Sequence, residues 1–139
     1  MADATITAAS VVSGAGAKRR IGTSGATITA GKAVYLDSVS GTYKLSRGNA
    51  DFSALIDGIA LNSASSGQPV HVQYEGEIYT GGGLFSGHLY VVSVATAGNI
   101  RPTEDLANDT GDEYASFVGV ALDSDTLELH LFNSPAVWE

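Results

Sequence analysis

The chain has 139 residues, no cysteine, 15 acidic against 7 basic side chains and a formal net charge of −8. A chain of that length forms one domain and buries about two thirds of its unfolded surface, and without cysteine its stability comes from packing or association rather than from disulfides or thiolate metal sites. Overall acidity, with no basic stripe interleaved with aromatics, argues against nucleic acid as a direct partner. The longest apolar run considered as a span, Leu89 to Val92, is far too short to cross a bilayer, and Met1-Ala2-Asp3-Ala4-Thr5 lacks the basic start and apolar run of a signal peptide. A soluble protein without an export address and without a membrane partner is therefore expected.

Charge is distributed unevenly. Residues 1–50 carry six Lys or Arg against two acids, residues 51–101 one against four, and residues 102–139 none against nine. Such faces keep a protein soluble, and they also suit a basic end and an acidic end that meet complementary surfaces on neighbouring subunits.

In chain order, residues 5–12 are rich in β-branched side chains and read as a strand. Ser13-Gly14-Ala15-Gly16-Ala17 is a small-residue spacer, Lys18-Arg19-Arg20 is the only basic cluster, and Gly22-Thr23-Ser24-Gly25 is a second spacer. Residues 1–25 thus read as an extended N-terminal arm, with residues 26–139 as a single β domain. Strand 32–36, a loop at 37–41 and a return at 42–45 form a hairpin. A polar excursion at 47–53 precedes an apolar run at 54–61, which reads as a central strand covered on both faces, with a bulge at Asp57-Gly58. Residues 68–74 alternate as a half-buried strand, Glu75-Gly76 reads as a turn, and 77–80 as a short strand. After Gly81-Gly82-Gly83 the order recurs: strand 88–95, return 100–102, an acidic excursion 103–113, an apolar strand 114–122 and an alternating strand 126–132. No segment sustains a period of 3.6.

This order reflects an internal repeat. Gly58-Ile59-Ala60-Leu61-Asn62-Ser63 is echoed by Gly119-Val120-Ala121-Leu122-Asp123-Ser124, and Gly31 to Asp37 by Gly87 to Ser93. Val70-His71-Val72 is matched with Leu129-His130-Leu131. The expected fold is all-β, a compact β-sandwich or barrel built from two similar halves, 29–79 and 80–134. Leu55, Ile59, Leu61, Val118, Val120 and Leu122 are its expected core.

Candidate chemistry is sparse. His71 and His130 each lie opposite apolar neighbours along their strands, so solvent exposure rather than metal ligation is expected for both. Glu104, Asp105, Asp109, Asp112 and Glu113 supply the oxygens a calcium ion wants, without the EF-hand spacing, so calcium at 104–113 stays open. No serine sits in a Gly-x-Ser-x-Gly elbow, and Gly81-Gly82-Gly83 lacks the Lys and Ser/Thr of a phosphate loop. We expect no enzyme activity, no catalytic residues, no cofactor and no metal. The residues expected to contact a partner are Lys18, Arg19 and Arg20.

The runs Ile6 to Val12, Gly25 to Asp37, Gly58 to Asn62, Gly67 to Val72, Leu89 to Ser93 and Val118 to Leu122 resemble, in order and style, the capsid cement (head decoration) proteins of tailed bacteriophages. The resemblance covers nearly the whole chain and rests on turn-and-strand patterns rather than reactive groups. It implies a structural virion protein, made in the host cytoplasm, that binds the outer surface of the capsid and bridges major capsid proteins. It also implies self-association, as a homotrimer or, second, a dimer. Lys18, Arg19 and Arg20 match no motif of that family. A carbohydrate-binding or receptor-binding β module of a tail fibre or adhesin is the alternative, with Tyr74, Tyr79, Phe85 and Trp138 as a platform. Because residues 1–24 lie outside the repeat, their removal is expected to leave a folded body that binds its partner less well.

Overall fold

The computed structural model describes residues 3–47, 55–93, 96–103, 113–114, 116–133 and 137–138. Residues 48–53 of the polar excursion, residues 104–112 of the acidic excursion and Ala54 of the apolar run lie outside them. The fold is all-β: twelve strands and one 3-10 turn, Ala8–Ser10, with no α-helix among the described residues. In chain order the strands are β1 Val12–Ser13, β2 Lys18–Thr23, β3 Ala33–Leu36, β4 Tyr43–Leu45, β5 Gly58–Ala60 and β6 Pro69–Tyr79, followed by β7 Leu89–Val92, β8 Ile100–Pro102, β9 Glu113–Tyr114, β10 Phe117–Ala121, β11 Thr126–Phe132 and β12 Val137–Trp138. Ten strands form one curled antiparallel sheet, a half-barrel, in the order β4-β3-β5-β6-β11-β10-β7-β8, with β1 and β2 both paired to β6. β9 and β12 pair separately.

The repeat seen in the sequence recurs in the strand pairing. In each copy a hairpin comes first (β3-β4 or β7-β8), a strand then pairs with the hairpin's first member (β5 or β10), and a last strand follows (β6 or β11). Ala33 pairs with Ile59 and Val34 with Gly58; Leu89 pairs with Val120 and Tyr90 with Gly119. These are the equivalences the sequence predicts. The last strand differs. Ile59 pairs with Gln73 and Ala60 with Val72, while Val120 pairs with Glu128 and Ala121 with Leu127, so the offset there is 55 (128 − 73 and 127 − 72) and not 59. His71 and His130 are therefore not equivalent positions. A strand pattern of period 2 is blind to an even slip, and the four-residue error keeps every side chain on its own face.

The repeated glycines Gly58 and Gly119 have a packing reason. A Cβ at Gly58 would stand 2.4 Å from the carbonyl oxygen of Gln73, and one at Gly119 would stand 2.0 Å from that of Glu128. Gln73 and Glu128 are themselves equivalent in the register above. Each copy therefore brings its middle strand so close to its last strand that only hydrogen fits.

Two large apolar clusters and a small third one, Val91 with Phe117, stabilise the sheet. Ile28, Val34, Tyr43, Ala60, Ala64, Val70 and Val72 form one, on the side of the first copy to which Val34 and Ala60 point. Ala33 and Ile59, their neighbours in sequence, point the other way and join Ile56, Ile78, Tyr90, Val92, Ile100, Val118, Ala121, Leu127 and Leu129 in the larger cluster. The first copy is thus covered on both faces, whereas in the second copy the face opposite the larger cluster is covered in part, at Val91, which is buried with Phe117 against it. This corrects the expected core: Ile59 and Val118 are buried and Leu61 packs against the cluster, but Val120 is only partly buried and Leu55 and Leu122 are exposed. Ile59→Ala should cost about 2–4 kcal/mol in urea unfolding, and Val120→Ala less than about 1 kcal/mol. Equal losses at the two positions would contradict this one-sided burial.

The N-terminal segment, read from the sequence as an arm, is hydrogen-bonded to the body as part of the same sheet. β1 pairs Val12 with Tyr79 and Ser13 with Ile78, the Gly14 N–H donates to the Glu77 carbonyl at 2.7 Å, and β2 pairs from Lys18 against Glu75 to Thr23 against Pro69. Residues 12–23 thus follow β6 for its whole length. Glu75-Gly76, expected to be a turn, lies inside β6; Gly76 takes a φ of +89°, and a Cβ there would stand 2.4 Å from the Gly16 backbone. Of residues 5–12, expected to be a strand, Ala8–Ser10 make the 3-10 turn and Val12 begins β1, with Val11 in the larger core cluster and Ala4, Ile6 and Ala8 packed against it.

Candidate interaction surface

β2 carries the basic cluster on a fixed frame. The Arg20 and Gly22 positions share the β6-facing side with Ser24, whose N–H donates to the Gln68 carbonyl at 2.9 Å and whose own carbonyl accepts from the Gly67 N–H. Strand alternation then turns the backbone groups of Arg19 and Ile21 away from β6. Lys18, Arg19, Arg20 and Ile21 are all exposed. The Lys18 ammonium meets the Glu75 carboxylate at 3.0 Å, and that hydrogen bond, with the accompanying charge attraction, raises its pKa above the ordinary lysine value. Arg20 lies 4.4 Å over the ring of Tyr74. Arg19 has no ion-pair partner among the described residues.

The other sequence candidates are dispersed. His71 and His130 are exposed, as expected, and His88, 5.7 Å from the Phe85 ring, is partly buried. Among the described residues no three His, Asp or Glu side chains converge on a possible metal position. The acidic excursion proposed for calcium lies outside the described residues, except Glu113 in the β9 ladder. Of the four aromatics read as a platform, Tyr74 is half-buried beneath Arg20, Tyr79 stands five residues further along the same strand, and among the described residues no ring contact joins Tyr74, Tyr79 and Phe85. Ring contacts join Phe85 to His88 and Phe117 to Phe132 instead. Trp138 belongs to the β9-β12 ladder.

A polar cluster at the N-terminal end has no counterpart among the sequence candidates. The Asp3 carboxylate accepts from Arg101 Nε at 2.9 Å, Ser93 Oγ at 2.9 Å and Asn99 Nδ2 at 3.1 Å, and Arg101 is almost wholly buried. Asn99 also accepts from Lys32. Asp3, Lys32, Asn99 and Arg101 line a cleft of ≈ 660 Å³ with Ile6 and Gly31. Its charges are engaged with one another and pin the start of the chain to β8, where the Ala4 N–H also donates to the Ile100 carbonyl at 2.8 Å. Pairing of residues 98 positions apart in sequence leaves no local signature that a sequence could display. No helix among the described residues is long and apolar enough to cross a membrane.

No protein-family model matches this chain, and no curated protein matches it.

Proposed function

We propose that this protein is a structural component of a phage virion that binds the outer surface of the capsid and stabilises its lattice by bridging major capsid proteins. The observation that carries this reading is β2, where three of the chain's seven basic residues stand exposed on a strand held along the longest strand of the fold. Fixed cations on an acidic body suit docking to a complementary protein surface, since little side-chain and backbone freedom remains to be lost on binding. The order of turn and strand motifs, which resembles that of the cement proteins, supports the same reading.

Cementing is a mechanical task that needs no turnover. A copy that touches two lattice subunits makes its second contact at high effective concentration, so modest contacts add up to a durable bridge. Self-association as a homotrimer, or second as a dimer, would multiply those contacts at a lattice symmetry point. The major capsid protein is then the principal partner, and the virion exterior the working location after synthesis in the host cytoplasm. The glycan-binding alternative draws less support from the separated positions of Tyr74 and Tyr79.

Heating DNA-filled capsids with and without the protein tests the proposal. Saturating protein should raise the temperature at which DNA is released. An unchanged release temperature would overturn the cementing role.

A further inference from the structure

The second copy of the repeat leaves part of one sheet face open, beside the buried Val91 and Thr126 of the same face. Leu89 pairs with Val120, Val120 with Glu128 and Glu128 with Glu77, so these four side chains form one row across β7, β10, β11 and β6. Thr126, Tyr79 and Val12 form part of the next row, two residues on, with Leu122 beside them through its N–H bond to the Thr126 carbonyl. Leu89, Leu122, Tyr79 and Val12 are each about half exposed. The equivalent row of the first copy, Ala33, Ile59 and Gln73, is fully buried. In the first copy this row turns toward the larger cluster, whereas in the second copy Tyr90 and Val92 face that cluster and Leu89 is turned away from it.

The charge on the open face is unusual. Glu77 and Glu128 stand directly opposite each other, a pairing that costs stability in an isolated sheet. Among the described residues Glu77 has no cationic partner, and Glu128 has only His130, at 3.5 Å. Two facing carboxylates with Leu89 and Val120 in their own row and Tyr79 and Leu122 in the next call for a partner that brings a cation beside an apolar side chain. β2 has that composition: Arg19 has no ion-pair partner among the described residues, and Ile21, two residues on and on the same side of the strand, is 65% exposed.

We propose that the open face of β7, β10, β11 and β6 receives β2 of a second copy of this chain, with Arg19 of that copy placed between Glu77 and Glu128. The inference rests on the capsid reading only in supplying its oligomer. Donor and acceptor patches differ, so the contact is head-to-tail and each copy can both give and receive.

Sedimentation equilibrium of the full chain tests this. The wild-type chain should self-associate reversibly. Arg19→Glu alone, or Glu77→Lys with Glu128→Lys, should weaken association about tenfold or more, and a chain carrying all three reversals should regain most of it. Glu77→Gln with Glu128→Gln should raise the melting temperature of the dilute protein while weakening association, opposite signs that a purely structural role would not give. A wild-type chain that stays monomeric at millimolar concentration, or reversals that leave association unchanged, would overturn the proposal. So would a triple reversal that fails to recover association. If the reversals abolish capsid binding but leave the oligomer intact, the face belongs to the capsid protein and this inference is wrong. A monomer that still saturates capsids would likewise defeat it and leave the capsid reading standing.

Discussion

Deleting residues 1–24 is expected to abolish cooperative folding rather than merely weaken binding, the reverse of what the position of these residues outside the repeat suggests. The deletion removes Val11 from the larger core cluster, together with the apolar cover of Ile6. Each such side chain contributes about 1.5–3 kcal/mol when fully buried. It also strips β1 and β2 from β6 and takes away the carboxylate that Arg101 contacts. Leaving buried polar groups and a long strand edge without partners costs further stability, against a total of about 5–15 kcal/mol for a domain. Circular dichroism of the truncated chain should show no cooperative melt. A monodisperse protein melting within a few degrees of the full chain would mean that the segment is dispensable to the fold.

Gly119→Val is expected to be as damaging from a single residue. Its Cβ would sit 2.0 Å from the Glu128 carbonyl oxygen and 2.9 Å from the carbonyl carbon, both backbone atoms of the neighbouring strand. No rotamer relieves that contact, so β10 would have to part from β11 in the middle of the sheet. A loss of about 4 kcal/mol or more is expected, enough to unfold a domain of ordinary stability. Gly58→Val should act in the same way against Gln73. Urea unfolding of the two variants is the check; a loss below about 1 kcal/mol at both would show that the strands can separate without cost.

Local pattern revealed much of the fold, and distant pairing determined the rest. The β character and the equivalence of Gly58 with Gly119 and of Ala33 with Leu89 were legible because the repeat preserves both the turn residues and the alternation. β2 was not, because Lys18-Arg19-Arg20 has no apolar alternation and becomes a strand through its pairing with β6. Gly76 takes a positive φ, but the chain continues as a strand through that residue where the sequence reads as a turn. Leu55 and Leu122 looked like core because an apolar run does not reveal which of its faces is covered. The same ambiguity concealed the open face of the second copy. At the candidate surface the charges were legible in Lys18, Arg19 and Arg20, whereas their fixed placement and the facing carboxylates Glu77 and Glu128 follow from register alone.

The most direct measurement for the cementing role is co-sedimentation of the purified protein with undecorated capsids over a range of protein concentrations. The proposal predicts binding that saturates at a fixed ratio to the major capsid protein, and that weakens partially, and less so at high salt, when Lys18, Arg19 and Arg20 are neutralised. Binding that never saturates, or a protein left wholly in the supernatant, would contradict it.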